Sequence, residues 1–402
     1  MNIIENVEDS VQKFGDGLSK PQFKNFSSYI NGIMKSKGRK TIVNINDESD
    51  SGKDQSQLNR FLNESKWDVV KMQEIYEDDV VKKAIETSKE YLFLIFDDTL
   101  KKSSIKNKVD GIAKYFDHVE KKFVWGHKIF TSCIANDNEF SAPYKGQIFL
   151  SRQYCKSQGI RYKKLTYMPF DLIDQFGLID SRDKHKVALF DIGYANKRTL
   201  NRLTKTEIDF VTKVKKNKKF VYKGELNRAE NLNRTLRIYN EVKIKEAVYE
   251  YSEPIEVVWP KVGTLYLTKT KLEGAKEVQY LITNMKIDSE EILRLYSYRW
   301  LIEPMHKDLK QNFGFGDYMI RDMGAIKKHM VLSWIACGIA SFIRYNFIGE
   351  YIGKLSEKVF VKVKKFFTLG RICKLVRKGM LTVQTVITSI GIKFILLKNA
   401  KL

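Results

Sequence analysis

Proline and cysteine are both scarce in this chain of 402 residues. Six prolines and 23 glycines leave no room for a long disordered linker. The four cysteines, Cys133, Cys155, Cys337 and Cys373, lie far apart. They form no CxxC or Cys/His spacing, which argues against a zinc site or a disulfide framework and fits a reducing cytoplasm. The first residues, MNIIENVEDSVQK, are acidic and amphipathic and do not read as a signal peptide. No apolar run reaches the ~20 residues that span a bilayer. The best candidate, VLSWIACGIASFI at 331–343, is too short and reads as a buried core helix. Acidic residues are the other shortage: 48 Asp and Glu face 71 Lys and Arg, a net charge of +23. Such an excess is the footprint of a protein that meets nucleic acid or an anionic membrane. The plainer alternative is a basic protein that merely stays soluble.

What is present divides the chain by texture. Residues 1–90 read as helical, with Phe23, Phe26, Ile30 and Ile33 at helical spacing, and this region has no excess of positive charge. From 91 the pattern turns to strands: YLFLIF (91–96), KFVWGHKIFTSCIA (122–135), KVALF (186–190) and DFVTKVKKN (209–217). Residues 218–285 carry more strand candidates and read as an inserted β-rich subdomain. At 288 an Asp-Ser-Glu-Glu cap signal opens one predicted helix, DSEEILRLYSYRWLIEPMHKDLKQNF. Residues 286–345 complete the core, and 346–402 read as a basic helical region with Glu350 and Glu357 as its acids from 350 onward.

Two strands end in carboxylates. LIFDD closes one with Asp97 and Asp98, and VALFD closes another with Asp191. At 3.6 residues per turn, Tyr296, Arg299, Glu303, His306 and Lys310 fall on one stripe of the predicted helix. A solvated helix would scatter these residues, and a core helix would place apolar ones there. Carboxylates converging from separate elements suit a pair of Mg²⁺ ions in phosphodiester chemistry. Arginine and lysine a turn or two away suit phosphates. Each piece has a plainer reading: Asp97-Asp98-Thr99 as a turn, Asp191 as a helix N-cap, the lysine runs at 101–108, 213–219 and 362–378 as solvated faces. For the carboxylates, joint occurrence in this order outweighs those readings; for the lysine runs, the net charge of +23 favours phosphate binding by some of them.

The segments YLFLIFDDT and VALFDIGYANKRTL, and above all Tyr296-x2-Arg299-x3-Glu303-x6-Lys310, resemble the DDE transposases of bacterial and archaeal insertion sequences, specifically the IS-four family with its Y-R-E-K signature. FVTKVKKN adds to the resemblance, which covers roughly 90–345. It implies an RNase H-like mixed five-stranded sheet flanked by helices, with an inserted β-rich subdomain, a helical N-terminal domain and a basic helical C-terminal region. It implies Asp98, Asp191 and Glu303 as catalytic ligands of two Mg²⁺, with Mn²⁺ a possible substitute, and Tyr296, Arg299 and Lys310 as DNA-binding residues. Asp98 is favoured over Asp97 because the acid is expected directly before the threonine; Asp97 is then a neighbour that hydrogen-bonds or raises metal affinity. His306 is expected to support the site rather than ligate metal.

The implied partners are double-stranded DNA, as terminal inverted repeats and target, and a second copy of the chain in a synaptic homodimer; no membrane is implied. The implied location is cytoplasmic, at the nucleoid. The implied reaction is cleavage at the element's ends and transfer of the 3′-OH into target DNA. Relatives that form a hairpin intermediate place a tryptophan where this chain has Gln279, with Trp259 about two strands earlier. The alternatives are an RNase H-like nuclease or resolvase without strand transfer, and a non-catalytic DNA-binding protein derived from a transposase.

Overall fold

A computed structural model describes residues 3–49, 54–103, 109–349 and 367–377. Most of the basic region 346–402 and the end of the lysine run 101–108 lie outside the described residues.

The chain opens with α1 (Ile3–Gln12), α2 (Lys20–Lys35), α3 (Ile42–Asp47), α4 (Gln55–Asn63) and α5 (Val69–Thr87). Their starts follow local chemistry. The Ser19 backbone N–H donates to Gln22 Oε1 at 2.9 Å ahead of α2, and Asp68 accepts from the Val70 and Lys71 backbones at 2.9 and 3.1 Å to cap α5. Then come β1 (Tyr91–Lys102), β2 (Ala113–Asp117), β3 (Lys122–Asn136), β4 (Ser141–Phe149), α6 (Arg152–Ser157), α7 (Pro169–Leu178), β5 (His185–Phe190), α8 (Lys197–Lys205) and β6 (Asp209–Val214). Next are β7 (Lys219–Tyr222), β8 (Glu225–Arg228), β9 (Asn240–Ile244), β10 (Ala247–Tyr251), β11 (Ile255–Trp259), β12 (Gly263–Leu272) and β13 (Gln279–Thr283). The chain continues through α9 (Ser289–Ser297), α10 (Ile302–Asn312), α11 (Met323–Gly349) and α12 (Leu369–Arg377).

All strands join one large, mostly antiparallel sheet of order β2-β3-β1-β5-β6-β13-β12-β11-β7-β8, with β4 beside β3, and β10 pairing with both β12 and β9. β1–β5 and β5–β6 are its parallel pairs, and β3 lies antiparallel to β1. The strands between 219 and 283 are not a detached module. β13 pairs antiparallel with β6, so they extend the same sheet. β1 also differs from expectation. It does not stop at Asp97 and Asp98 but runs to Lys102, because β3 continues to pair with it after β5 has ended at Phe190. The acids therefore sit where β1 loses one neighbour and keeps the other.

The predicted helix over 288–313 is broken. Its start is as read, with Asp288 accepting from the Glu291 backbone at 2.8 Å. After Ser297, however, residues Tyr298–Leu301 tighten into a 3₁₀ turn before α10 resumes. Pro304 supplies the reason: it donates no backbone N–H and its ring crowds the carbonyl of residue 300.

The 331–343 segment belongs to a helix of 27 residues, α11, longer than the sequence run suggested. By length and composition it could cross a membrane, yet it is mostly buried in this fold. It packs against α1, α2, α4, α5, α10, α12 and β4, so the N-terminal helices share one core with the sheet. Gly338 lets α11 approach the Tyr76 ring, whose hydroxyl donates to the Pro143 carbonyl on β4. A Cβ at 338 would overlap that ring. Gly338→Ala should therefore cost about 1–3 kcal/mol by overpacking, read as a lowered melting temperature.

Candidate active site

Register builds the site. In the parallel pairs, Phe96 lies beside Phe190, and Phe190 beside Thr212. One residue further along each chain come Asp97, Asp191 and Lys213. Equivalent positions on neighbouring parallel strands point to the same side of a sheet, with strands ~4.8 Å apart. The row Asp97–Asp191–Lys213 therefore faces one way. Phe93, on the same face of β1, stacks on Tyr298 of the 3₁₀ turn with ring centroids 4.5 Å apart, so the row faces the turn and α10.

From that side come Tyr296, Arg299 and Glu303. Arg299 is buried and donates to Glu303 Oε1 at 2.8 Å. Its guanidinium carbon lies 5.8 Å from the Tyr296 ring centroid, and Lys213 Nζ lies 5.5 Å from the same ring. The Tyr296 hydroxyl is buried and, among the described residues, finds no hydrogen-bond partner. A buried hydroxyl left unmatched is costly and suits a position that a ligand completes.

The electrostatics match this grouping. Burial, reinforced by the negative charges of Asp98 and Asp191, pushes the Asp97 carboxyl up to about 6; the Asp98 backbone N–H, donating at 2.8 Å, and Arg299 oppose it. Burial lowers the Lys213 ammonium, partly offset by Asp191 and Glu303. The cluster thus has a carboxylate short of positive charge beside a lysine and an arginine already engaged.

Asp98 is not part of this row. Adjacent residues of a strand face opposite sides, and Asp98 accepts from the Tyr194 hydroxyl at 3.0 Å and pairs with Lys128 at 2.9 Å. Tyr194 packs there edge-on against Phe96 and Phe130. Lys310 lies further along α10, where its ammonium donates to Thr99 Oγ1 at 2.5 Å, and burial lowers its pKa. His306 Nε2 sits 2.6 Å from Thr131 Oγ1, whose hydroxyl reaches the Asp97 carbonyl at 3.1 Å. Burial holds the His306 imidazole down at about 4, so it is neutral near pH 7 and braces the base of the site. Trp259 is 2% exposed, packed edge-on to Phe220 and under Lys218, so its ring offers no face to a base; Gln279 is exposed.

Among the described residues no three His, Cys, Asp or Glu side chains are grouped closely enough to hold a metal ion. Glu303 is instead held by Arg299. The donor chemistry nevertheless fits a hard divalent cation: oxygen ligands, a buried carboxylate that neighbouring anions destabilise, and an orphaned hydroxyl beside them.

Comparison with known families now bears on these residues. The model described as DDE superfamily endonuclease matches residues 13–235, more than half of the chain. This chain belongs to the DDE superfamily endonucleases. A second match, to a transposase DDE domain, covers residues 170–337 and so includes Asp191, Tyr296, Arg299 and Glu303. A search of curated proteins finds no match. Membership makes this a transposase- or endonuclease-type enzyme, a class that typically uses divalent metal and acts on DNA.

Lys213 was not singled out in the sequence, and its signal is in the register: it follows Thr212, the partner of Phe190, as Asp97 and Asp191 follow Phe96 and Phe190. The placing of Asp97 beside Asp191 had a plainer trace, since both apolar runs give way at Phe-Asp, LIFD and ALFD.

The Asp97 shift has a consequence for stability. A carboxyl raised from 3.8 to about 6 binds its proton more tightly in the folded chain. Its contribution therefore declines as pH rises from about 4 to 6 and is a standing cost above that. Asp97→Asn should make this DDE-superfamily protein more stable at pH 7 by about 2–3 kcal/mol. The gain should vanish below about pH 4, as followed by urea unfolding across pH.

Proposed function

We propose that this protein is a cut-and-paste DNA transposase that cleaves at the ends of an insertion sequence and joins the freed 3′-OH to target DNA. The observation that carries this reading is the in-register pair Asp97 and Asp191 facing Tyr296, Arg299 and Glu303. The order β4-β3-β1-β5-β6, with β3 antiparallel, supports an RNase H-like catalytic core, with 218–285 inserted before the signature helices. The IS-four assignment and the Y-R-E-K roles are part of the proposal.

Asp97, Asp191 and Glu303 would hold Mg²⁺ or Mn²⁺, with Asp97 taking the place first expected of Asp98. Divalent metal there supplies Lewis-acid polarisation of the phosphate and lowers the pKa of the attacking water or 3′-OH. The chain's own residues do the positioning. Tyr296 turns its unpartnered hydroxyl to a phosphate oxygen, and Arg299 is a fork suited to bidentate phosphate binding. When Arg299 turns to phosphate, Glu303 is released to serve as the third acid, which couples substrate entry to completion of the site. Lys213 screens the Asp191 side, and Lys310 offers a second cation where β1 emerges. Asp98 acts indirectly, tying Tyr194 and Lys128 behind the strand. Terminal inverted repeats and target DNA are the substrates, and a homodimer would pair two ends.

The test uses the full-length protein with a labelled duplex carrying the element's terminal repeat, supercoiled plasmid and Mg²⁺ or Mn²⁺. Wild type should cleave the end and join it covalently to plasmid. Asp97→Asn, Asp191→Asn and Glu303→Gln should each lose on the order of 10³-fold in cleavage, as expected when several kcal/mol of transition-state stabilisation disappear. Asp98→Asn should stay within about tenfold. Cleavage that never leads to joining would make the protein a nuclease, and tight binding without cleavage under either metal would overturn the enzymatic reading.

A further inference from the structure

Past the catalytic row, β1 and β3 run on together to Lys102 and Gly126, and β2 pairs with the remainder of β3 from Ala113↔Gly126 to Asp117↔Lys122. This ribbon leaves the sheet at the end where the acids lie. Thr131 is the cross-strand partner of Asp97, and Phe123 is eight residues from it along β3. At ~3.3 Å per residue Phe123 lies about 26 Å from the catalytic row. Alternation puts Phe123 and Trp125 on the face of Thr131 and Asp97.

That face of the ribbon is apolar and open. Phe116 and Phe123 form a cross-strand pair with ring centroids 5.4 Å apart, yet they are 41% and 63% exposed, and Val119 at the turn is 89% exposed. Clustered exposed aromatics mark a contact surface rather than a chance surface residue. Its charge is positive. The ribbon's two acids, Asp117 and Glu120, are both held by Lys102, and Glu120 also pairs with Lys122 at 2.8 Å. Lys114 and Lys121 remain as excess cations, Lys114 with its ammonium 5.6 Å from the Phe123 ring centroid.

We propose that the β2–β3 ribbon is a DNA-contact arm that grips duplex flanking the cleaved phosphate. This rests on the transposase reading and adds a second contact to it. A two-stranded ribbon is of the size the major groove admits, where phenylalanine meets thymine methyls and lysine meets phosphates. At 3.4 Å per base pair the reach corresponds to contact about seven or eight base pairs from the scissile phosphate. Charge complementarity and continuity with the catalytic face favour DNA as the occupant over a second copy of the chain.

The test is binding by full-length protein to duplexes trimmed stepwise on one side of the cleavage site, with hydroxyl-radical footprinting. Wild type should protect positions about seven or eight base pairs out and lose affinity when they are trimmed. Phe116→Ser/Phe123→Ser should lose that protection and roughly tenfold in affinity for the long duplex, with the short duplex bound as before. Lys114→Ala/Lys121→Ala should lower the slope of log affinity against log salt by about 2, an effect a loss of folding would not mimic. Melting temperatures of both variants should match wild type, because all four side chains are exposed. Unchanged footprint, affinity and salt slope in both variants would overturn the arm. So would a wild-type dimer without DNA that the phenylalanine variant converts to monomer, which would make a second copy the occupant. A wild type that binds no duplex would instead fail the transposase reading itself, and the arm with it.

Discussion

Two like charges held side by side at the end of a parallel strand pair are the constraint on which the rest of the site depends. The β1–β5 register puts Phe96 on Phe190, stacked with centroids 4.8 Å apart, and so Asp97 beside Asp191. Neither aspartate can be relieved by moving, because the strands are fixed by apolar packing on both faces. Burial first, and then the charges of Asp98 and Asp191, drive the Asp97 carboxyl up to about 6. A fold keeps such a cost where function requires it, since raised carboxyl pKa values concentrate at sites that bind cations or move protons.

The opposite wall is built to answer that charge without cancelling it. The 3₁₀ turn, set by Pro304, brings Tyr296 and Arg299 over the row, and Arg299 spends its hydrogen bond on Glu303. Ser289, at the start of α9, donates to the Ser252 carbonyl at 2.7 Å and lies 2.8 Å from Thr268 Oγ1 on β12, which locks this wall to the extension of the sheet. The strands between 219 and 283 thus hold the start of α9 in place. Below the row, neutral His306 and Thr131 brace the β1 backbone through the Asp97 carbonyl.

Much of this was legible in the sequence and some was not, for identifiable reasons. The Asp288 cap could be read because local chemistry writes it, and the grouping of Tyr296, Arg299 and Glu303 because their spacing keeps them on one side. Which of Asp97 and Asp98 faces α10 could not, because that is a matter of pairing register. The same is true of Lys213. The single helix over 288–313 failed at Pro304, whose backbone effect overrode a continuous periodic stripe. Whether the Trp259 ring is open to a ligand could not be read either, because its burial depends on Phe220 and Lys218 arriving from elsewhere. Family membership, by contrast, rests on the whole pattern and did not depend on any one of these.

The central claim is that Asp97, with Asp191, is the metal-facing carboxylate and that Asp98 points away. The most direct measurement is electron paramagnetic resonance of Mn²⁺ titrated into the full-length wild type and the Asp97→Asn and Asp98→Asn variants, without DNA. The account predicts that wild type and Asp98→Asn bind Mn²⁺ with similar affinity and that Asp97→Asn loses the site. Binding retained by Asp97→Asn and lost by Asp98→Asn would contradict it.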